Sequence, residues 1–347
     1  MASLNILRLI FVGLLSVGWL AAISEAEAAC PASVAACTST SSCQQRITLG
    51  SSTLQVYRSH NLNKQNCDVR HAIVVVHGRD LNPADYFGYV TSATKTQGRS
   101  NDTLIVSPFF REQTSTRIST DLYWDRGRGS AALYDWAMGG DSVAPSAVSS
   151  FDVIDAIIKT LTKASLFPNL KSIVVTGHSG GAQLAQRYAI GGNPTQSQMP
   201  QTFFFVPANP SSYAYLDKRR PLNGSTTVFS TPTSTSCRYY DEWGYGLDDP
   251  NRYMALFSYS TLVSRYTSRR VTYLLGELDT TTSGIDTTCY ANLQGQTRYV
   301  RGTAYANYIA QYYQAAVHKR AVVPGVGHNA RDMFASAQGR AALFPLP

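Results

Sequence analysis

The sequence predicts an α/β fold in which a mostly parallel β-sheet is covered by helices on both faces. Apolar runs typical of buried strands alternate with helical patterns along the chain, and no repeat or low-complexity linker divides it. The 347 residues are 44% hydrophobic and 15% charged, a balance that indicates a large core and a sparsely charged surface. Together these observations favour a single large domain.

The predicted strands are separated by intervals that mostly leave room for a helix. Residues 72–76 (Ala-Ile-Val-Val-Val) form a continuous apolar run, as expected of a strand buried on both faces of a parallel sheet. The other predicted strands cover 53–57, 103–108, 171–176, 202–206, 271–275 and 320–323. Helices are predicted over 83–95, 149–161, 182–188 and 305–318.

The first 28 residues have the features of a secretory signal peptide. Arg8 precedes an apolar run over 9–23, and the tripeptide Ala-Glu-Ala at 26–28 fits the small-residue rule for cleavage before residue 29 or 30. The run is short for a membrane span, and an acidic residue stands where a lipid-attachment motif needs an aliphatic one. We therefore expect a secreted protein without a membrane span in its mature form.

Six cysteines follow this segment, an even number that predicts three disulfides in an oxidising compartment. They are Cys30, Cys37, Cys43, Cys67, Cys237 and Cys289. No C-x-x-C pair occurs, which argues against a zinc site. Proximity along the chain suggests that Cys237 pairs with Cys289. The other four would then tie down an N-terminal arm over 29–52, ahead of a domain formed by 53–347.

The net charge of +8 raises the possibility of a nucleic-acid partner. The arginines, however, occur as scattered pairs rather than as one basic run, and no nucleic-acid-binding motif is present. These pairs are Arg126/Arg128, Arg219/Arg220 and Arg269/Arg270. We therefore expect a monomer that does not bind nucleic acid and has a solvated basic surface.

Two long segments, 110–148 and 208–265, interrupt the alternation of strands and helices, and both are rich in tyrosine and tryptophan. Loops of this length in a compact domain are usually functional. Insertions at the carboxyl ends of parallel strands lie around the ligand site. We expect 208–265 to form an aromatic-rich cap, although its tyrosines could equally serve to pack that cap onto the sheet.

Residues 173–181 (Ile-Val-Val-Thr-Gly-His-Ser-Gly-Gly) combine a β-branched strand, a glycine-flanked serine and the start of a helix. This strand–turn–helix context is typical of a nucleophilic serine held at a sharp turn. The glycines are needed because a Cβ beside Ser179 would collide with the neighbouring strand or helix. The alternative is an incidental serine in a structural turn, so partner residues must decide between the two.

A serine hydroxyl needs a base and an orienting carboxylate, which in this fold class follow the serine in the order acid, then histidine. His328 lies in a glycine-rich loop after the last predicted strand and is the predicted base, whereas His318 falls inside a predicted helix. Asp279 follows strand 271–275 at the same edge of the sheet and is the predicted acid, with Glu277 as its close rival. The other candidates lie within insertions: Asp241, Glu242, Asp248, Asp249 and Asp286.

The oxyanion formed by attack of a serine needs two N–H donors. Gly180, at the start of the helix, is the first predicted donor. We assign the second to the backbone of Arg79, in the loop after strand 72–76, and expect its side chain to be free to line the pocket. His77 in that loop is expected to brace it by hydrogen bonding. Contacts with substrate are expected from His178, Asn209, Tyr213 and Trp243.

Four motifs resemble the α/β-hydrolase superfamily over about residues 53–340. They are HGRD at 77–80, GHSGG at 177–181, LLGELD at 274–279 and PGVGH at 324–328. Segments 136–142, 167–170 and 209–213 resemble a secreted microbial subgroup of that superfamily with no established substrate. The resemblance implies an eight-stranded sheet, a Ser179–His328–Asp279 triad and acyl-enzyme chemistry.

The sequence thus predicts a secreted serine hydrolase that acts on small or polymeric carboxylic esters and needs no metal or organic cofactor. Cleavage of amides or peptides on the same scaffold is one alternative, which no gating domain supports. A secreted binding protein that has lost catalysis is the other, and the complete set of three candidate residues argues against it.

Overall fold

An eight-stranded sheet lies at the centre of the protein, of which the computed structural model describes residues 30, 35–37, 40–127, 134–193, 200–233 and 237–345. Its strands are β1 Gln44–Leu49, β2 Ser52–Arg58, β3 His71–Val76, β4 Thr103–Pro108, β5 Ser172–His178, β6 Thr202–Ala208, β7 Arg270–Gly276 and β8 Lys319–Val323. Their order is β1-β2-β4-β3-β5-β6-β7-β8. Only the β1–β2 and β2–β4 pairs are antiparallel, which confirms the predicted mostly parallel sheet.

Helices cover both faces of the sheet. The helices of the described residues are α1 Pro83–Thr96, α2 Ser150–Leu161, α3 Gly180–Gly191, α4 Tyr259–Ser268, α5 Cys289–Asn292, α6 Arg298–Tyr312, α7 Ala330–Ala335 and α8 Ala337–Leu343. Helices α1, α7 and α8 share one apolar cluster with the sheet, and α2, α3, α4 and α6 share another. The sheet is therefore the middle layer of three.

Strand β3 shows how one apolar run supplies both cores. Ile73 and Val75 belong to the cluster with α1, while Val74 and Val76 belong to the cluster with α3. Alternate side chains of a strand point to opposite faces, so a strand between two helical layers must be apolar at every position. All six residues of β3 are buried. The same pattern in β5 carries the chain to the serine turn.

Two boundaries differ from the prediction. Strand β1 lies inside the segment predicted as an N-terminal arm, where it pairs with β2 at the half-exposed edge of the sheet. Only Ile47 and Leu49 are apolar on its inner side, and two residues leave little signal in the sequence. The helix predicted over 305–318 is instead α6, Arg298–Tyr312, so His318 lies beyond its end. Nδ1 of His318 is 2.7 Å from the Tyr273 hydroxyl, and Nε2 of His318 is 2.9 Å from the Tyr266 carbonyl oxygen.

The predicted Cys237–Cys289 disulfide is confirmed, with the two Cα atoms 5.9 Å apart. A second disulfide joins Cys37 to Cys43, and Cys30 and Cys67 are also oxidised. The predicted signal peptide, 1–28, lies outside the described residues. Within the described ranges, no helix has the length and apolar character that crossing a membrane requires.

The close packing of α3 against β3 predicts a large difference between two glycine substitutions. A methyl group on Gly181 would lie 2.1 Å from the Val76 carbonyl oxygen, which forces the helix away from the strand. We expect Gly181→Ala to lower the free energy of unfolding by about 3 kcal/mol or more in urea titrations. In Gly88→Ala, within α1, the methyl group meets no atom within 4 Å. That control should stabilise the protein by about 0.5–1 kcal/mol, and equal effects would contradict the prediction.

Buried histidines predict a loss of stability in mild acid. Burial lowers the pKa of four histidines to about 4 and that of His178 well below its usual value: the four are His60, His71, His77 and His318. In the unfolded chain these imidazoles bind protons near pH 6.5. The unfolded state therefore binds more protons, and the free energy of unfolding falls as pH falls from about 6.5 to about 4.

We expect this loss to be on the order of 1–2 kcal/mol per histidine at pH 5, measured by urea unfolding at pH 7 and pH 5. In His60→Gln, the fall in the free energy of unfolding between pH 7 and pH 5 should be smaller by the contribution of one histidine. A urea midpoint that stays constant between the two pH values would contradict the prediction.

Candidate active site

Ser179 occupies the turn between β5 and α3 in a backbone conformation that L-residues rarely adopt, with φ 57° and ψ −118°. Its N–H donates to the Ala208 carbonyl oxygen at 3.1 Å, which fixes the turn to the neighbouring strand. A Cβ on Gly177 would lie 2.4 Å from the carbonyl carbon of Gly181. The glycines are therefore required by close approach, and the turn presents the partly exposed serine to a cavity.

His328 and Asp279 meet at the carboxyl edge of the sheet, where the loops after β8 and β7 come together. Nδ1 of His328 is 2.7 Å from Oδ2 of Asp279. A carboxylate can only accept, so Nδ1 carries the hydrogen and Nε2 is left with the free lone pair of a base. The Asp279 side chain has no exposed surface, whereas that of His328 is 27% exposed. His328 and Ser179 line the same cavity.

Glu277, the rival acid, makes a different contact. Its Oε2 accepts a hydrogen bond of 2.9 Å from the Gly325 N–H, and the side chain lies at the surface. Gly325 turns the chain after β8 with φ 68°, in the left-handed region. Glu277 therefore holds the loop that carries His328, while Asp279 contacts the imidazole itself.

Asn209 was expected to contact substrate, but the structure gives it a different position. It is 1% exposed, and its Oδ1 accepts from the Gly276 N–H at 2.7 Å. Its Nδ2 donates to the Gly327 carbonyl oxygen at 3.3 Å. Both ends of the amide are used by backbone, so Asn209 cross-links the strand that precedes Asp279 to the loop that precedes His328.

The N–H groups of Gly180 and Arg79, the predicted oxyanion donors, are not used by other groups among the described residues. Neither donates a hydrogen bond to another group in the described part of the chain. The loop that carries Arg79 lies close to the serine, because a Cβ on Gly78 would be 3.7 Å from the Ser179 Cβ. Two free donors thus flank Ser179, one from α3 and one from the loop after β3.

His77 braces this loop, as expected. Its Nδ1 is 2.7 Å from the Gly78 carbonyl oxygen, and its Nε2 accepts from the Phe110 N–H at 3.1 Å. Burial lowers the pKa of His77 to about 4, so the ring is neutral and keeps its hydrogen on Nδ1. In a trans peptide the C=O and N–H point in opposite directions. Fixing the Gly78 carbonyl therefore turns the Arg79 N–H away from His77.

The side chain of Arg79 was expected to be free to line the pocket. It does line the cavity, but an ion pair holds it in place. Its two terminal nitrogens donate to the carboxylate of Asp135 at 2.7 and 2.6 Å, and the guanidinium lies 4.8 Å from the centre of the Trp136 ring. Burial alone would raise the pKa of Asp135, but the charge and hydrogen bonds of Arg79 hold it below its usual value. The pair closes one wall of the cavity and anchors the backbone of Arg79.

His178 does lie at the site, where it lines the cavity together with Ser179 and His328. Its ring is 4.3 Å from the ring of His328, centre to centre, and its Nδ1 is 3.4 Å from the Tyr86 hydroxyl. Burial, with smaller contributions from His328 and Arg298, lowers the pKa of His178 well below its usual value. His178 is therefore a neutral ring against which the imidazole of His328 packs.

Tyr213 and Trp243, the other two residues expected to contact substrate, lie in the core instead. Tyr213 is fully buried and stacks on Tyr305 with ring centres 4.5 Å apart. Trp243 is 2% exposed and its Nε1 donates to the Met138 carbonyl oxygen at 2.7 Å. Their area is used to pack the segment 208–265 onto the helices beneath it. That segment instead contributes Ser211 and Tyr245 to the cavity.

Comparison with known proteins identifies the family of this chain. A family model described as the alpha/beta hydrolase family matches residues 73–342. The chain belongs to this family. The matched region contains the serine turn, both loops that carry Asp279 and His328, and the loop of Arg79. A search among curated proteins finds no match.

Solved structures show the same fold at low identity. The LpqC poly(3-hydroxybutyrate) depolymerase from Bordetella parapertussis is 19% identical, with a TM-score of 0.56 over 83% of this chain and 86% of its own. The poly(aspartic acid) hydrolase-1 from Sphingomonas sp. KT-1 is also 19% identical, with a TM-score of 0.56 over 85% of this chain and 96% of its own. At 19% identity and a TM-score of 0.56, this likeness shows a shared fold and no more.

The cavity of this α/β hydrolase has a volume of about 660 Å³ and opens at the carboxyl edge of the sheet. It is lined by Ser179, His178, His328 and Arg79. The loop after β7 forms a further wall through Asp286, whose Oδ2 accepts from the Tyr245 hydroxyl at 2.7 Å. The described residues contain no group of three or more His, Cys, Asp or Glu side chains able to hold a metal ion.

Arg298, the first residue of α6, is a member of the site that sequence reasoning missed. Its Nη1 lies 3.6 Å from Oδ1 of Asp279, on the side of the carboxylate away from His328. The positive end of the helix dipole disfavours a cation in the first turn, but the sequence predicted this helix to begin only at residue 305 and so gave no such signal. An arginine there needs a compensating partner, but only the folded chain identifies that partner as Asp279.

The anchoring of Arg79 predicts that Asp135 affects the reactivity of Ser179. In Asp135→Asn the guanidinium loses its carboxylate, and the backbone that offers the N–H becomes less fixed. We expect the rate of labelling of Ser179 by a fluorophosphonate to fall about tenfold, less than the ~10²–10³ typical of losing a donor outright.

The matched control is Asp102→Asn, which breaks the 2.8 Å ion pair between Arg99 and Asp102 at the surface. It should label at the wild-type rate. An unchanged rate in Asp135→Asn, or an equal loss in the control, would rule out this role for Asp135.

Proposed function

We propose that the protein is a secreted serine hydrolase that cleaves carboxylic esters through a Ser179–His328–Asp279 triad. The observation that carries the proposal is the 2.7 Å hydrogen bond between His328 and the buried Asp279, in a cavity shared with a serine at φ 57°. This is the arrangement that activates a hydroxyl for attack on an acyl carbon.

In the proposed first step Ser179 Oγ attacks the ester carbonyl carbon and its proton passes to Nε2 of His328. Asp279 holds the ring through Nδ1 and stabilises the imidazolium that forms. The negative charge that develops on the carbonyl oxygen is held by the N–H groups of Arg79 and Gly180. His328 then gives its proton to the departing alkoxide, and an acyl-enzyme remains on Ser179.

The second step releases the acyl group. A water molecule gives one proton to His328 and attacks the acyl carbon, the same two N–H groups hold the oxyanion, and the proton returns to Ser179 as the acid leaves. Each of these roles is filled by a residue of this chain, so the reaction as proposed draws on no bound cofactor.

The charges around the cavity favour a neutral ester over an anionic amide polymer. Arg79 is already paired with Asp135, and Arg298 with Asp279. Arg126, the third arginine that lines the cavity, is paired with Glu112. Asp80 and Asp286 also line the cavity, and neither forms an ion pair in the described part of the chain. A polyanion such as poly(aspartic acid) would therefore meet carboxylates rather than free cations. A polyester such as poly(3-hydroxybutyrate) carries no charge to be repelled.

Secretion is part of the proposal. All six cysteines are oxidised, as is typical of proteins that leave the reducing cytosol. The apolar N-terminal run and the small-residue tripeptide that follows it support export by a signal peptide. Amide or peptide hydrolysis on the same site, and a binding protein without catalysis, are the competing functions.

Fluorophosphonate labelling tests whether Ser179 is a nucleophile. The wild-type protein should label at Ser179 and Ser179→Ala should not, as read by mass spectrometry of the modified peptide. Ser92→Ala, which changes an exposed serine of α1, should label normally. Absence of labelling in the wild type would overturn the catalytic proposal in favour of a binding protein.

Substrate class is tested separately, with p-nitrophenyl butyrate, a poly(3-hydroxybutyrate) film, the matching p-nitroanilide and poly(aspartic acid). We expect turnover of the soluble ester with a kcat at least about 10³ lower in Ser179→Ala, and little or no turnover of the two amides. Cleavage of amides but not esters would replace the ester proposal with the amidase alternative.

A further inference from the structure

The two oxygens of the Asp279 carboxylate face different partners. Oδ2 contacts His328, as described, whereas Oδ1 is buried and accepts no hydrogen bond from any described residue. The group next to Oδ1 is the guanidinium of Arg298, whose Nη1 is 3.6 Å away. Side-chain exposure is 0% for Asp279 and 2% for Arg298, so solvent screens this contact only weakly.

Arg298 is held by neutral groups and by one charge. Its Nε donates to Ser211 Oγ at 3.1 Å, and its terminal nitrogens donate to the carbonyl oxygens of Ser283 and Gly284. Asp279 is the only carboxylate with which it forms an ion pair among the described residues. Burial lowers the pKa of Arg298, and the negative charge of Asp279 opposes that effect. The cation therefore depends on Asp279, and Asp279 in turn is neutralised by it.

We propose that Arg298 is a positioning residue that offsets the charge of Asp279 and so keeps the His328 base free of its proton at lower pH. The inference rests on the proposed function of this site. Without Arg298 the pair of Asp279 and neutral His328 carries one negative charge, which favours uptake of a proton. With Arg298 the three groups together are neutral, and uptake of a proton would leave a net positive charge beside the buried Asp279 and Arg298.

The direction of this effect does not depend on where the proton resides. Asp279 and His328 share a hydrogen bond, so a nearby cation disfavours an added proton whether that proton lies on the carboxylate or on the imidazole. A serine hydrolase needs the unprotonated pair, because His328 must accept the serine proton. Arg298 would therefore extend activity toward acid, where an enzyme with an isolated aspartate–histidine pair loses its base.

Other charged or titratable groups line the cavity with His328, and the test leaves them unchanged. They come from the loop after β3, α1, the segment after β4, the serine turn, the segment after β6 and the loop after β7: Arg79, Asp80, Tyr86, Tyr89, Arg126, Asp135, His178, Tyr245 and Asp286. Glu277, also after β7, accepts from the Gly325 N–H in the loop that carries His328. Arg79 is paired with Asp135, and burial lowers the pKa of His178 well below its usual value. Replacing Arg298 with a neutral residue therefore removes one charge and leaves the other charged groups around the cavity in place.

The decisive variant is Arg298→Gln, with Arg298→Met as a second neutral replacement in case the first does not fold. We expect the acidic limb of the kcat/KM profile to move up by about one pH unit. Arg298→Lys, which keeps the charge, should place the limb near the wild-type position. Arg301→Gln is the matched control, because Arg301 is equally buried in α6 but donates to neutral acceptors, the Gly295 and Ser211 carbonyl oxygens and Asn292. Its limb should not move.

A structural role alone gives the opposite sign. If Arg298 merely held the loop of Asp279 in place, its loss would separate Asp279 from His328, and the imidazole would lose the charge that favours its protonation. The acidic limb would then move to lower pH. A limb that stays in place or moves down in Arg298→Gln overturns the proposal, as does a shift of equal size in Arg301→Gln.

A second readout is independent of turnover. The imidazole signals of His328 can be followed by NMR in wild type and Arg298→Gln, and the pH at which they titrate should rise by the same amount as the limb. If the wild type neither labels at Ser179 nor hydrolyses any ester, the proposed function fails. The titration of His328 still decides the electrostatic role of Arg298, because an unchanged midpoint overturns it.

Discussion

The contact between α3 and β3 determines the geometry of the whole site. The helix comes so close to the strand that position 181 has no room for a Cβ, and the same crowding at Gly177 forces the sharp turn at Ser179. The helix begins at Gly180, directly after the serine. The loop after β3 also starts at this contact, and the side chain of Arg79 lies against Gly180, where an added Cβ would be 3.1 Å from Cδ of Arg79. One close approach of helix and strand thus brings together Ser179, Gly180 and the loop of Arg79.

Several charges in the interior are arranged as pairs. Arg79 with Asp135, Arg220 with Asp241 and Arg298 with Asp279 each join two largely buried side chains, although the chain as a whole carries a net charge of +8. Removing one member of such a pair leaves an uncompensated buried charge. Arg187 and Arg301, which are also buried, donate to neutral oxygens instead. Two of the three pairs touch the cavity, so the charges of Arg79 and Arg298 are offset there.

Most of the sheet, and the meeting of Asp279 and His328 at its carboxyl edge, followed from the sequence because they rest on local pattern. Strand β3 is apolar from Ala72 to Val76, and the serine turn needs its glycines whatever surrounds it. The contacts of polar side chains did not follow. Asn209 and Arg79 could each face a substrate or bond to the protein, and only their neighbours in space decide. Tyr213 and Trp243 were misassigned for the same reason, since aromatic residues suit a core as well as a pocket. Strand β1 has only two apolar residues on its inner face, too few to detect.

The Cys237–Cys289 disulfide limits how the cavity can change shape. It joins the segment 208–265 to the loop after β7, the two stretches that supply Tyr245 and Asp286 to neighbouring walls. Those walls are also linked by the hydrogen bond between Tyr245 and Asp286. A motion that moved one wall away from the other would have to break this hydrogen bond and would be limited by the disulfide. Ser179 therefore lies in a cavity in which two neighbouring walls are joined to each other covalently.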